Sequence, residues 1–183
     1  MLRNGFKLHD LDDVDSAANP VLVGARTQFG FVPNLLRVMA QSLTALKGYR
    51  MLSALFHESG LTLPERLVVE LAASVENGCG YCTAAHSMQA ARAGLSADDI
   101  AAIRAGVTPA DPRLAALAAM VRALIKQRGA VDDGAVDAFL AAGFTRAQLL
   151  DVVTGIAAKT ISNYTNNLAR APLDPGLTET HDL

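Results

Sequence analysis

Apolar residues recur three or four positions apart along most of the chain, which is the spacing of one face of a helix. The stretch 42–58 illustrates the pattern with apolar side chains at Leu43, Leu46, Tyr49, Leu52 and Phe56. No stretch alternates apolar and polar residues for long enough to predict a strand. The pattern therefore predicts an all-α protein that folds as a single-domain helical bundle.

Capping residues and glycines set the limits of the predicted helices. Ser42, Ser96 and Thr145 each precede a helical pattern as N-cap candidates, and Gly94 follows one as a C-cap candidate. Pro64 fits the first turn of another helix, where its missing N–H has no partner to lose. The predicted helices cover 21–28, 34–41, 42–58, 64–76, 79–93, 96–105, 111–128, 132–142 and 145–170.

The ends of the chain differ from its middle. The first residues are polar and acidic, and they predict a loosely attached N-terminal arm over 1–19. The helical domain is predicted over 20–174, and 175–183 forms an extended C-terminal tail. The stretches 63–91 and 144–171 each place a polar cluster inside helical sequence, which raises an internal helical duplication as a hypothesis.

Composition excludes several classes of protein. A chain of 183 residues with 51% hydrophobic residues can bury one core and is not disordered. The net charge of −2 gives no basic excess for nucleic acid, and no apolar run approaches the roughly 20 residues of a membrane span. The N-terminus has no apolar signal region, so a cytoplasmic location is expected. Glycines occur singly, without a phosphate-binding loop, so no cofactor is expected.

The two cysteines carry the candidate chemistry. They lie three residues apart in Cys79-Gly80-Tyr81-Cys82, and His86 follows four residues after the second. On a helix that starts just before Cys79, Cys82 lies about 60° and His86 about 20° around the axis from Cys79. Two thiols and an imidazole would therefore share one stripe of a helix.

This arrangement suits redox chemistry. The thiolate is the reactive form of cysteine, and the free N–H groups of a first helical turn stabilise it. Two cysteines at this spacing can also close a disulfide, while the imidazole holds or relays a proton. Two other interpretations stay open at this point. A zinc site would need a fourth ligand, and a passive buried pair would leave the histidine unexplained.

The segment 77–86 resembles the Cys-x-x-Cys-x-x-x-His signature of the alkylhydroperoxidase D and carboxymuconolactone decarboxylase family. The segment 29–36 resembles the entry segment of its peroxidase-related members, and 161–167 resembles their C-terminal helix. The resemblance extends over roughly residues 20–174. It implies the alkylhydroperoxidase D-like helical fold, usually assembled as a homo-oligomer, either a trimer or a hexamer.

The resemblance also implies an activity and residue roles. The activity is that of an antioxidant, thiol-dependent peroxidase of the peroxiredoxin type, which acts on alkyl hydroperoxides through a redox-active disulfide. Cys82 attacks the peroxide, Cys79 resolves it, and His86 belongs to the proton relay. A dithiol protein, such as a lipoylated protein, would regenerate the thiols. Decarboxylase members generally lack the cysteine pair, which argues against lactone decarboxylation.

One position departs from the family pattern. The family relay usually includes a Glu twelve residues before the first cysteine, where this chain has Leu67. Glu70 lies on a neighbouring stripe about 60° away, so it is the candidate replacement. Glu65 lies near the N-terminus of its helix, where the positive end of the helix dipole favours a carboxylate, and this explains its presence without a role in the relay.

Two alternatives to a peroxidase follow from the sequence. The first is a non-catalytic oligomeric module that senses redox state or binds zinc through its cysteines. The second is a carboxymuconolactone decarboxylase-type enzyme. Asn163, Tyr164 and Asn167 form a polar cluster that would face either the site or a subunit interface. His57 lies at the C-terminal end of a predicted helix, where the negative end of the helix dipole favours a cation, and this explains its presence without a catalytic role.

Overall fold

The structure, a computed structural model, describes residues 2–177. Within them a short 3-10 helix, Arg3–Gly5, precedes nine α-helices, and no strand occurs. The α-helices are α1 (Asn19–Phe29), α2 (Asn34–Met39), α3 (Leu43–His57), α4 (Leu63–Glu76), α5 (Gly80–Arg92), α6 (Ala97–Arg104), α7 (Pro112–Lys126), α8 (Asp133–Ala141) and α9 (Arg146–Ala169). The prediction of an all-α bundle is confirmed.

Side-chain caps fix where several helices begin. Ser42 accepts a hydrogen bond from the N–H of Ala45, as its sequence position predicts. Thr62 and Glu65 form a capping box, in which each side chain accepts a backbone N–H from the other residue. Thr145 and Gln148 form a second capping box at the start of α9. These local signals explain why most predicted helix limits lie within two residues of the observed ones.

The helix limits differ from prediction at two places that matter for the site. Cys79 is the N-cap of α5 rather than part of the helix, which begins at Gly80. The last helix ends at Ala169, because Arg170 adopts a left-handed conformation with φ of 51°. The chain therefore turns sharply after α9, and the following residues return to the bundle.

Helix α4 lies at the centre of the bundle and packs against α5, α7 and α9. Most of its residues are buried, and they join α6, α7, α8 and α9 in the larger apolar core. Helix α9 also runs along α3. Close packing there depends on Gly155, where a Cβ atom would lie 2.7 Å from a ring carbon of Phe56. A smaller apolar cluster joins α1, α2 and α3 to the two cysteines.

Both chain ends contact the bundle. The side chain of Asn4 donates to the carbonyl of Leu168, and Asp10 pairs with Arg37 at 2.7 Å. Leu2 and Phe6 pack against a small apolar cluster at the end of α9. The first residues are thus attached more firmly than their polar sequence predicts. The predicted tail over 175–183 falls mostly outside the described residues, since 178–183 are not described.

Within residues 2–177, no individual helix combines the length and apolar character needed to cross a membrane; α8 and α9 would qualify only together, across a bend of 110°.

Candidate functional site

The turn before α5 places the two cysteines. Gly78 has φ of 64°, and the N–H of Cys79 donates to the carbonyl of Ser74 at 2.9 Å. Cys79 then caps α5, because its Sγ accepts the N–H of Cys82 at 3.3 Å. Both thiols are free and buried. The capping contact therefore holds the two cysteine side chains against the same helical turn.

Helix α9 presents a polar stripe to the cysteines. Lys159, Ser162, Asn163 and Asn166 recur at helical spacing and are all buried. The Ser162 hydroxyl donates to the carbonyl of Lys159 at 3.1 Å, and the Asn163 amide donates to Ser74 Oγ at 3.3 Å. Both side chains favour the thiolate of Cys82. The amide of Asn166 donates to Cys79 Sγ at 3.6 Å. Polar groups of α9 thus surround both sulfur atoms inside an otherwise apolar bundle.

A cluster of charged and titratable groups continues from the sulfurs. Nε2 of His86 lies 2.5 Å from Nζ of Lys159, and Nδ1 of His86 lies 3.4 Å from Oε2 of Glu70. The contact with Glu70 is within ion-pair distance but lacks hydrogen-bond geometry. The other oxygen of Glu70 lies 3.5 Å from Nε2 of His57, whose side chain is half exposed. Glu70 thus bridges a buried and an exposed imidazole.

The partners of His86 fix its proton. An ammonium group has only donors, so Lys159 donates and Nε2 of His86 accepts. The proton of a neutral imidazole then lies on Nδ1, which faces the carboxylate of Glu70. His86 therefore presents an unprotonated nitrogen toward Lys159.

The two cysteines differ in acidity. The pKa of Cys82 is lowered to about 7. The largest cause is the hydrogen bond from the Cys79 thiol, and the charge of Lys159 and the polar side chains of Asn163 and Ser162 lower the pKa further. Together they outweigh burial, which raises the pKa. The same hydrogen bond to Cys82 raises the pKa of Cys79, because Cys79 must keep its proton to donate. Cys82 is therefore the cysteine that ionises near neutral pH, and Cys79 stays a thiol.

Burial and charge set the state of the remaining groups. Burial and the charge of Lys159 lower the pKa of His86 to about 4, so the ring is neutral at neutral pH. Burial opposes the ionisation of Glu70, but His86, His57 and Lys159 outweigh it and lower its pKa to about 2. Burial likewise opposes the charge of Lys159, yet Tyr49, Cys82 and Glu70 raise its pKa above the usual value. At neutral pH the cluster contains one fixed cation, Lys159, and one fixed anion, Glu70.

A cavity of about 380 Å³ reaches Cys82 from the surface. Its walls include Cys82, His86 and Lys159, but Cys79 does not line it. Much of the remaining wall is apolar or aromatic and consists of Phe29, Phe31, Leu35, Leu36, Tyr49 and Met88. Two arginine side chains, Arg50 and Arg92, also line the cavity. A small organic molecule entering here meets Cys82 before Cys79.

The segment after α9 closes one side of the cavity. Asp174 is buried and accepts hydrogen bonds from the N–H of Asn34, at 2.8 Å, and from the hydroxyl of Tyr81. Burial and Asp174 raise the pKa of Tyr81, so the phenol keeps its proton and remains a donor. The residue between the cysteines therefore ties the chain end and the start of α2 to the site.

The structure brings all four predicted site residues together. Cys79, Cys82 and His86 share α5 and its cap, and Glu70 reaches His86 from α4. Leu67, at the position where the family pattern usually has a Glu, packs in the apolar core instead. The other nearby carboxylates are engaged elsewhere. Glu65 pairs with Arg113 at 2.6 Å, and Glu76 lies 3.6 Å from Lys126.

Sequence reasoning missed Lys159, Ser162 and Asn166. Their signal was the spacing of polar residues three, four and seven positions apart in an apolar helix, which includes Asn163. Of the cluster singled out from sequence, Asn163 faces the site and Tyr164 is exposed.

The zinc interpretation finds no support in this geometry. No group of three or more His, Cys, Asp or Glu side chains within residues 2–177 is arranged to hold a metal ion. The nitrogen of His86 that could ligate a metal faces Lys159 instead.

Residues 41–123, which contain α3 to α6, match the sequence profile of the carboxymuconolactone decarboxylase family. The whole helical fold matches the alkylhydroperoxidase D core of an uncharacterised peroxidase-related protein from Ralstonia eutropha JMP134. That match has a TM-score of 0.83 and 19% sequence identity, and it covers 94% of this chain and 93% of the other. Residues 41–123 thus carry the sequence pattern of the carboxymuconolactone decarboxylase family, and the chain as a whole has the alkylhydroperoxidase D-like fold.

Two further solved structures share this fold. An uncharacterised peroxidase-related protein from Silicibacter sp. TM1040 is similar with a TM-score of 0.80 and 16% identity, over 96% of this chain and 93% of the other. A cysteine-to-alanine variant of the debrominase Bmp8, in complex with 2,3,4-tribromopyrrole, is similar with a TM-score of 0.77 and 17% identity, over 96% and 94%. No functionally curated protein matches the chain. A debrominase is thus among the proteins that are similar in fold to this chain.

Proposed function

We propose that this protein is a thiol-dependent peroxidase that reduces organic hydroperoxides. The observation that carries the proposal is the environment of Cys82. Cys82 lines the cavity, and its pKa is lowered by the Cys79 thiol, by the charge of Lys159 and by the polar side chains of Asn163 and Ser162. These groups favour a thiolate where a substrate would enter, and a thiolate is the nucleophile that cleaves an O–O bond.

The first step oxidises Cys82. The thiolate attacks the terminal oxygen of the hydroperoxide, a sulfur–oxygen bond forms, and the O–O bond breaks. The products are a sulfenic acid on Cys82 and an alkoxide, which takes one proton to leave as the alcohol. The sulfur loses two electrons, and the peroxide gains them. A proton donor in the cluster that contains His86, Glu70 and Lys159 supports this step.

The second step closes a disulfide. The Cys79 thiol attacks the sulfenic sulfur of Cys82, the sulfur–oxygen bond breaks, and one water leaves. Cys79 suits this role because it keeps its proton in the reduced site and lies against Cys82. A dithiol must then reduce the disulfide by exchange and become a disulfide itself. We propose a dithiol protein, such as a lipoylated protein, as this reductant.

The cavity supports an organic substrate over hydrogen peroxide. Its volume of about 380 Å³ is in the range of small-molecule sites and many times that of one water. Apolar side chains form much of its wall, and Arg50 and Arg92 add positive charge. A hydroperoxide with an apolar body fits these walls best.

A steady-state assay tests the proposed function. The wild type, supplied with dihydrolipoamide, should reduce cumene hydroperoxide with a higher kcat/KM than hydrogen peroxide. Cys82→Ser should abolish turnover because the nucleophile is lost. Cys79→Ser should also abolish disulfide-dependent turnover while leaving Cys82 reactive. Peroxide turnover that persists in Cys82→Ser would contradict the proposal. Lactone decarboxylation that is unaffected by Cys82→Ser would instead favour the decarboxylase alternative.

Two further measurements, of bromide release and of zinc content, test the remaining alternative functions. Bromide release from 2,3,4-tribromopyrrole, in the absence of peroxide reduction, would point to a dehalogenase like the structural neighbour. Stoichiometric zinc that is lost in Cys79→Ser would instead favour the non-catalytic module.

We propose that the protein acts as a homo-oligomer, trimer or hexamer, and a monomeric mass by light scattering would contradict this.

A further inference from the structure

Lys159 is the buried cation of the site, and its role in the proposed function so far is to favour the Cys82 thiolate by its charge. It is 2% exposed, although a lysine is rarely buried unless it is paired or used. It faces titratable groups from three other helices: Tyr49 on α3, Glu70 on α4, and Cys79, Cys82 and His86 at α5. No other lysine or arginine of the described chain is buried.

The position of Lys159 determines which group can donate a proton to a bound peroxide. Lys159 and Cys82 line the same cavity, so a peroxide bound at the sulfur enters a cavity that the Lys159 side chain also reaches. His86 presents an unprotonated nitrogen to Lys159 and carries its own proton on the side of Glu70. In this arrangement the proton of His86 faces Glu70, whereas Lys159 keeps two N–H groups besides the one that it donates to His86.

We propose that Lys159 is the catalytic acid that protonates the alkoxide leaving from the hydroperoxide, with His86 and Glu70 as positioning residues behind it. This inference rests on the proposed peroxidase function and extends it. As Cys82 attacks and the O–O bond breaks, one N–H proton of Lys159 moves to the alkoxide oxygen. The resulting neutral amine regains a proton when the disulfide is reduced and the Cys82 thiol ionises again.

Peroxides with different leaving groups separate acid catalysis from other roles of Lys159. An alkoxide is a strong base and needs a proton to leave, whereas the carboxylate that leaves a peroxy acid is stable without one. Loss of a catalytic acid therefore slows alkyl hydroperoxides selectively. A residue that only lowers the pKa of Cys82, or only packs, affects both classes equally.

The experiment measures the rate of Cys82 oxidation in Lys159→Met, with cumene hydroperoxide and with peracetic acid. Each protein is assayed at a pH where Cys82 is fully ionised, as determined by its alkylation with iodoacetamide. We expect a fall of about 100-fold or more with cumene hydroperoxide, typical of losing a general acid. The fall with peracetic acid should be less than about tenfold. Lys159→Arg, which keeps a cation and a donor, should recover part of the rate with cumene hydroperoxide.

The outcomes are distinguishable. Equal losses with both peroxides in Lys159→Met would overturn the role of Lys159 while leaving the peroxidase proposal intact. A wild type that oxidises Cys82 with neither peroxide would overturn the proposed function itself.

The wild type alone gives a second measurement if Lys159→Met does not fold. Its rate should vary only weakly with the acidity of the leaving alcohol across a series of hydroperoxides. A dependence as steep as that of a free thiolate in water would contradict acid catalysis by Lys159.

Discussion

At the scale of single residues, the decisive feature is the unequal environment of two cysteines three positions apart. Cys79 keeps its proton and donates to Cys82, and the polar side chains of Asn163 and Ser162 also lower the pKa of Cys82. The dipole of α5 reaches both residues, so it does not by itself separate them. The contact between the two thiols and the neighbouring side chains of α9 make the difference. In the proposed function, Cys82 therefore attacks and Cys79 resolves.

The hydrogen bond from Cys79 leads to a prediction about Cys82. This bond is the largest cause that lowers the pKa of Cys82 to about 7. Cys79→Ala removes the donor, so we expect the pKa of Cys82 to rise toward about 8.5, the value of a free cysteine. The measurement is the rate of alkylation of Cys82 by iodoacetamide as a function of pH.

Cys79→Ser is the matched control because its hydroxyl can still donate. Its profile for Cys82 should remain nearer to that of the wild type. Superimposable pH profiles for the wild type and Cys79→Ala would show that the hydrogen bond does not control the acidity of Cys82.

At the scale of elements, α9 supports the site in two ways. One face carries the polar stripe around the cysteines, and Gly155 lets the helix approach α3 and α4 closely. A Cβ atom at Gly155 would lie 2.7 Å from Cε2 of Phe56 and 3.0 Å from Cγ1 of Val69. Both contacts are shorter than van der Waals packing allows, so the absence of a side chain sets the separation of these helices.

This close approach predicts the cost of one added methyl group. Gly155→Ala should lower the free energy of unfolding by about 1–3 kcal/mol, because a tightly packed core resists insertion. Gly48→Ala is the control within α3, since no atom lies within 4 Å of its Cβ position. It should raise stability by about 0.5–1 kcal/mol through the better helix propensity of alanine. Urea unfolding measures both, and an unchanged midpoint for Gly155→Ala would contradict the tight packing.

The elements were predictable from sequence because their signals are local. N-caps such as Ser42 and Thr145, and the helical spacing of apolar residues, depend only on near neighbours. The stripe formed by Cys82 and His86 on α5 was predictable for the same reason. Lys159 was not, because its importance depends on how α9 packs against α5. A buried lysine and an exposed lysine look alike in a sequence.

At the scale of the whole molecule, the site is the place where four helices meet. Tyr49 comes from α3, Glu70 from α4, His86 from α5 and Lys159 from α9. Each helix contributes one of these groups to a single buried cluster. Folding must therefore bury one cation, one anion and one neutral imidazole together, and this makes the stability of the protein sensitive to pH.

The burial of neutral His86 predicts a loss of stability in acid. The pKa of His86 is about 4 in the folded protein and 6.5 ordinarily, so between these values only the unfolded chain binds the proton. The free energy of unfolding should then fall as pH drops from 6.5 to 4, by at most about 1.4 kcal/mol per pH unit. The pKa of Glu70 is lowered from 4.5 to about 2, so its contribution is lost only below about pH 4.5.

His86→Gln isolates this effect, since glutamine does not titrate and can still accept a hydrogen bond from Lys159. Urea unfolding across pH 4.5 to 6.5 should give a steep pH dependence for the wild type and a shallower one for His86→Gln. Equal slopes for the two proteins would show that His86 is not buried in its neutral form.

The most direct test of the central claim is to identify the cysteine that reacts first with a peroxide. Reduced protein is mixed with one equivalent of cumene hydroperoxide, quenched, and analysed by peptide mass spectrometry. The account predicts a Cys79–Cys82 disulfide in the wild type, a sulfenic acid on Cys82 in Cys79→Ser, and an unmodified Cys79 in Cys82→Ser. Two free thiols in the wild type under excess peroxide, or oxidation of Cys79 in Cys82→Ser at the wild-type rate, would contradict it.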